Sequence, residues 1–199
     1  MDFIQAIDTH LTQYISPYWV RQEPLLTVFR FLSLEGNWVI VWITLFGAVC
    51  VWELAIHKNR NRFAHKIVPL ILSVLLVVLI LSVGIHWGLK PLVGRLRPFV
   101  MQNYASMVCP HDFSFPSGHA AIATALASLL VYFDHNKLRH LLYICIAFLV
   151  SYSRMALQCH YLFDVLIGAW LGIVVVDGGK WAIRRCFPRF RDSSPLRKT

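Results

Sequence analysis

The chain has 199 residues, of which 57% are hydrophobic and 15% charged, and its formal net charge is +9. That balance lies far from the average of soluble domains and excludes an ordinary water-soluble globule. The excess of positive charge suits either nucleic acid or an anionic membrane surface, so the placement of the basic residues has to decide between them.

The opening MDFIQAIDTH has no basic segment ahead of an apolar core, so a cleavable signal peptide is not expected. Over residues 3–34 apolar and polar positions alternate, interrupted by Pro17, Arg21 and Pro24, which predicts two short amphipathic helices lying in the interface plane within an N-terminal segment 1–35. Uncharged apolar runs follow at 36–52 and 67–89, each close to the roughly 17 to 25 residues that cross a bilayer core as a helix. Three later runs, 120–133, 141–153 and 161–176, are shorter or polar at one end, and the last holds Asp164. The pattern predicts an all-α fold: a polytopic membrane helix bundle of about five transmembrane helices plus the N-terminal interfacial helices. The bundle is assigned to 36–183 and a basic cytoplasmic tail to 184–199, whose RDSSPLRKT end is expected to be disordered.

The basic residues are clustered. Lys58, Arg60, Arg62 and Lys66 fill the first loop, Lys137 and Arg139 the third, and Lys180, Arg184, Arg185, Arg189, Arg191, Arg197 and Lys198 the end of the chain. With five crossings all three groups fall on one side, which the positive-inside rule makes cytoplasmic; the N-terminus and the second and fourth loops then face outward. The charge therefore reports orientation, and no nucleic-acid partner is expected. Trp19, Trp38, Trp52, Trp87 and Trp181 fall near predicted helix ends, where interfacial aromatics belong. Of the five cysteines, Cys109 and Cys159 both lie in outward loops, so a disulfide between them is conceivable there, and no metal-ligand spacing occurs.

Charged residues at membrane depth are costly and mark function. Lys90, Arg95 and Arg97 follow the second predicted crossing, His119 opens the third, Arg154 closes the fourth, and His160 and Asp164 open the fifth. Helix ends brought to one depth would gather cations, two histidines and a carboxylate, a set suited to phosphate. His160 and Asp164 are four residues apart and share a helix face, so the carboxylate can orient the imidazole as a nucleophile or base. In the PSGH tetrapeptide, Pro116 sets the start of a helix, Ser117 caps it, and Gly118 allows its N–H to approach an anion. His119 then stands where it could protonate a departing oxygen.

Residues 90–98 match K-x6-R-P, 116–119 match P-S-G-H, and 153–164 match S-R-x5-H-x3-D. In this order the three motifs resemble the signatures of the membrane-bound type 2 phosphatidic acid phosphatase superfamily, over about residues 36–183. The resemblance implies a lipid phosphate phosphatase in which His160 forms a phosphohistidine, Asp164 orients it and His119 is the general acid. Lys90, Arg97, Arg154, Ser117 and Gly118 would bind the phosphate, and no metal or other cofactor would be needed. Outside the signatures, Arg95 is read as lining the site or meeting lipid headgroups, with a slight preference for the headgroups. His86 and His111 are candidates for lining the substrate path, and His111 and Asp112 for shaping access to it.

A site at the outer interface favours a lipid phosphate or diphosphate as partner, with membrane lipids around it. Undecaprenyl diphosphate is the leading expectation, in a bacterial cytoplasmic membrane with the site facing outward. Lipid A 1-phosphatase and phosphatidylglycerophosphatase or phosphatidic acid phosphatase are the alternatives, and a catalytically silent lipid-binding membrane protein is the reading from a different class. The oligomeric state is left open.

Overall fold

In the computed structural model, residues 2–16, 22–33, 42, 44–49, 51, 60–101, 109–134 and 136–186 are described, and among them there is helix but no strand. Two amphipathic helices come first, α1 (Asp2–Ile15) and α2 (Leu25–Ser33). The longest apolar run gives α3 (Arg60–Val83), which continues through a π-helical turn (Gly84–Leu89) into the short α4 (Lys90–Val93) and, after a reversal at Gly94, α5 (Pro98–Met101). The remaining helices are α6 (Gly118–Phe133), α7 (Lys137–Ala156) and α8 (Leu162–Cys186). Of the first predicted crossing, residues 42, 44–49 and 51 are helical; the rest of 36–52, and the tail from 187 on, lie outside the described residues.

By length and composition, Val68–Met101 and Leu162–Ala182 can each cross a membrane, and α6 is a shorter apolar helix. Along α3, Leu70, Val77 and Leu81 are buried, whereas Leu72, Leu75, Leu76 and Leu79 are exposed. In water such an apolar face would be an aggregation hazard; against lipid it is the solvent-matched side of the helix.

Helix α6 is the centre of the bundle and packs against α3, α7 and α8. Its inward positions are small, with Ala120, Ala121, Ala123, Ala125 and Ala127 all buried, because apolar helices in lipid gain contact by close approach rather than by hydrophobic burial. The closest approach is to α8 at two glycines one turn apart. A methyl group on Gly168 would stand 2.4 Å from the Ser117 carbonyl oxygen, and one on Gly172 would stand 2.2 Å from that of Ala121. Only hydrogen fits there. Thr124 then donates across the seam to the Ala169 carbonyl at 3.0 Å.

Caps set where the helices begin. Ser117 is extended (φ −73°, ψ 110°) and its hydroxyl accepts from the Ala120 N–H at 3.4 Å, starting α6. Asn136 starts α7 by accepting from the N–H groups of Leu138 and Arg139 at 2.9 and 3.3 Å. The α6–α7 turn is fastened by Asp134, which takes both arms of Arg139 at 2.5 Å and the Tyr143 hydroxyl at 2.8 Å. At the same end of the bundle, Lys180 meets Asp177 at 2.7 Å, three residues apart within α8.

Candidate active site

All three motifs arrive at one end of the bundle. The π-helical turn shifts the register just before Lys90, and the left-handed Gly94 (φ 61°) turns the chain so that Arg97 points back inward. Beyond α7, Gln158 takes a left-handed conformation (φ 58°), and the N–H groups of Cys159 and His160 both bond the Arg154 carbonyl, at 2.9 and 3.2 Å. That compact reversal sets His160 just before α8. The N–H of Phe99 donates to the Gln158 carbonyl at 3.2 Å, docking the Arg97–Pro98 segment onto it.

Arg97, Arg154 and His160 are almost wholly buried, and Lys90 is 4% exposed. NH1 of Arg97 donates to the Cys159 carbonyl at 2.8 Å and lies 3.1 Å from Nε2 of His160. A guanidinium has no lone pair, so Nε2 is the acceptor and the neutral ring carries its proton on Nδ1. Nδ1 faces Oδ2 of Asp164 at 3.6 Å, an electrostatic contact longer than a hydrogen bond. Burial, joined by the charges of Arg97 and Arg154 and opposed by Asp164, pushes the His160 imidazolium down to about 3, which keeps the ring neutral.

Asp164 is fully buried and held on every side. Its Oδ1 takes NH1 of Arg95 at 2.6 Å, and its Oδ2 takes the Tyr161 N–H at 2.9 Å and the Ser114 hydroxyl. Its carbonyl accepts from the Ser117 N–H at 3.0 Å, which ties the start of α6 to the first turn of α8. His119, one residue into α6, lies within electrostatic range of Arg154, His160, Arg97 and Lys90. Gly118 leaves room: a methyl group there would come no nearer than 3.9 Å, to His86.

A carboxylate occupies the cation pair. Asp112 accepts from Nζ of Lys90 and from NH2 of Arg97, while its backbone carbonyl accepts from Nε of Arg97 at 2.8 Å. Burial alone would raise this carboxyl, but the hydrogen bonds from Lys90 and Arg97 outweigh it and hold it down to about 2. A disulfide joins Cys109 to Cys159, with Cα atoms 5.4 Å apart, and fastens the Asp112 segment to the residue before His160.

The supporting residues named from sequence divide. His86 is half-exposed, with Nε2 3.6 Å from Oδ2 of Asp112, at the edge of the site. His111 is exposed and stacks edge-on against Phe99, with ring centroids 6.3 Å apart. Arg95 does not reach for headgroups: its side chain is 14% exposed and is drawn inward by Asp8 and Asp164. Two buried carboxylates need a compensating charge, and Arg95 supplies it to both. Sequence reasoning missed Asp8, Thr12 and Ser114, and did not pair Asp112 with any cation. It also passed over the G-x-x-x-G spacing of Gly168 and Gly172 within an apolar run, a readable sign of close helix contact.

The chain is similar to several known proteins. The family model described as the PAP2 superfamily matches residues 67–189. An undecaprenyl-diphosphatase of Sulfolobus acidocaldarius is 31% identical, over 71% of this chain and 69% of its own. A lipid A 4'-phosphatase of Bacteroides thetaiotaomicron is 27% identical, over 86% of this chain and 75% of its own. The crystal structure of a transmembrane PAP2-type phosphatidylglycerolphosphate phosphatase from Bacillus subtilis superimposes with a TM-score of 0.63 at 26% identity, covering 93% of this chain and 90% of that one. With its three motifs gathered at one end of an apolar helical bundle, the chain belongs to the PAP2 superfamily, as a membrane-embedded member of it.

Proposed function

We propose that this protein hydrolyses the phosphate monoester or diphosphate of a membrane lipid through a phosphohistidine on His160. The observation that carries the reading is the contact of Arg97 NH1 with Nε2 of His160 at 3.1 Å, which makes the unprotonated nitrogen face the cation cage. Nε2 attacks phosphorus, the P–O bond to the lipid breaks, and His119 gives its proton to the departing oxygen. Lys90, Arg97, Arg154, Ser117 and the Gly118 N–H hold the equatorial oxygens as charge builds on them. Water then attacks the phosphohistidine, His119 takes its proton, and inorganic phosphate leaves with Nε2 free again. The cations supply the positive charge for this sequence without a metal ion, so turnover should persist in excess chelator.

Support for a lipid substrate comes from the depth of the site. Helix α6 has 16 residues, about 24 Å long, less than the roughly 30 Å of hydrocarbon, so a site at its start sits no higher than the headgroups. Undecaprenyl diphosphate is the preferred substrate, in keeping with the Sulfolobus relative; the Bacteroides relative favours a lipid A phosphate as the second reading. The clustered basic residues support a site facing outward from a bacterial cytoplasmic membrane.

Phosphate release by the purified protein from undecaprenyl diphosphate, lipid A, phosphatidylglycerol phosphate and phosphatidic acid, beside His160→Ala, tests the reading. Equal release by wild type and variant would end it. For the orientation, an impermeant thiol label should modify a cysteine introduced at 104 but not at 61, and the reverse pattern would invert the topology.

A further inference from the structure

We infer that α1 is a working part of the active site, with Asp8 and Arg95 as positioning residues that fix Asp164 and, through it, His160. The inference rests on the reading of His160 as nucleophile and Asp164 as its orienting carboxylate.

An interfacial helix should turn its polar side chains to water and headgroups. Helix α1 reverses this at two polar positions. Phe3, Ile4 and Tyr14 are exposed, while Asp8 and Thr12, one turn apart, are buried at 0% and 2%. Both are turned onto the start of α8. Oδ1 of Asp8 accepts from the Phe163 N–H at 3.0 Å, and the Thr12 hydroxyl oxygen accepts from the Leu162 N–H at 2.9 Å. The first amides of a helix have no partner within it, so they need a cap from elsewhere. For α8 that cap comes from α1, across about 150 residues of chain. Thr12 in turn donates to the Asp8 carbonyl at 2.6 Å, which steadies the pair.

Capping amides alone do not compensate a buried carboxylate, and here the compensating charge is shared. NH2 of Arg95 lies 2.7 Å from Oδ2 of Asp8, and NH1 lies 2.6 Å from Oδ1 of Asp164. The guanidinium also lies over the Tyr161 ring, 4.1 Å from its centroid, which limits its tilt. One planar cation therefore spans two carboxylates, one from α1 and one from α8. By occupying Oδ1, Arg95 leaves Oδ2 of Asp164 to the Tyr161 N–H, the Ser114 hydroxyl and the His160 side. Removing the charge of Asp8 frees Arg95 to centre on Asp164, which rotates the carboxylate and weakens its hold on Nδ1. None of these atoms belongs to the proposed phosphate cage, so the loss should fall on kcat and spare KM.

The test uses the full chain in detergent with a short-chain phosphatidic acid as the probe, folding being followed by thermal midpoint. Asp8→Asn keeps the cap to Phe163 but removes the charge; kcat should fall about tenfold with KM within about twofold, and Asp8→Glu should recover part of it. Arg95→Gln should cost about a hundredfold in kcat, with the Asp8→Asn/Arg95→Gln double variant no worse than Arg95→Gln alone, since the two act as a unit. If Asp8→Asn does not yield folded protein, Arg95→Lys carries the test, with a kcat loss of about tenfold and KM retained. Wild-type kcat in Asp8→Asn or Arg95→Lys, or loss through KM alone, overturns the inference while His160→Ala remains dead and the nucleophile reading stands. Activity in His160→Ala equal to wild type would instead overturn that underlying reading, and this one with it.

Discussion

NH1 of Arg97 stands 3.1 Å from Nε2 of His160, and this contact sets the tautomer of the ring and contributes to its low proton affinity. His160 is held down to about 3 by burial, with Arg97 and Arg154 adding to the effect and Asp164 opposing it. Its neutral form is present above that value and is lost as pH falls through it. Protonation of this histidine should therefore leave no acid limb near the ordinary histidine range in the kcat/KM profile. Arg97→Gln removes a positive charge, so the acid limb should move to higher pH, and kcat/KM should fall by about 10² to 10³ as a phosphate donor is lost. A pH–rate profile of both proteins checks the shift; an unmoved limb would contradict it.

Asp112 sits on Lys90 and Arg97, where the proposed phosphate would bind. Its carboxyl is held down to about 2, so it stays ionised throughout any working range and should compete with phosphate. Asp112→Asn should tighten inhibition by inorganic phosphate by about tenfold, since the two charge-assisted hydrogen bonds that phosphate displaces become weaker bonds to a neutral amide. Measuring the phosphate inhibition constant decides the matter, and an unchanged constant would mean that Asp112 is not in competition.

Gly172 allows α6 and α8 to touch. In Gly172→Ala the new methyl would stand 2.2 Å from the Ala121 carbonyl oxygen and 2.4 Å from Oγ1 of Thr124, so the helices must part. A loss of about 1 to 3 kcal/mol in stability is expected, as for other overpacked sites. Activity should also drop in the protein that remains folded, because α6 carries His119 and α8 carries Asp164. Thermal midpoint and kcat, measured on the same preparation, separate the two effects.

At the opposite end, Asp134 should matter for stability alone. Burial would raise its carboxyl, but Arg139, the Asn136 N–H and Tyr143 outweigh that and lower it from 3.8 to about 2. A depressed carboxyl contributes stability above its ordinary value, and this contribution is lost as pH falls through about 2. Asp134→Ala should cost about 2 kcal/mol, less than a fully buried pair because Arg139 is partly exposed. The folded fraction should keep the wild-type kcat; a fall in kcat would show that this turn communicates with the site.

Much of the bundle was legible along the chain, since runs of apolar residues cross lipid for reasons of length and solvation that need no partner. Residues 120–133 and 141–153 fall within α6 and α7, and 67–89 runs along α3 to Leu89 at the end of the π-helical turn. The predicted 161–176 stops short of the end of α8, which continues through Asp177 and Lys180 to Cys186, because a helix can carry polar residues once it has left the apolar layer. The possible Cys109–Cys159 link was legible as a shared side of the membrane, but only the fold brings the two Cα atoms within bridging distance.

What the sequence by itself determined was composition, period and motif: a membrane bundle, and His119, Arg154, His160 and Asp164 at its helix ends. Those features depend on neighbours within a few residues. What only the tertiary structure decided was which charge meets which. Arg95 and Asp164 are 69 residues apart, and Asp8 reaches the amide of Phe163 over 155. Charge pairing in a low-dielectric interior is settled by distance in space, and distance in space is fixed only when α1, α6 and α8 pack together. For that reason a helix expected to lie in the interface plane holds a buried carboxylate one arginine away from Asp164.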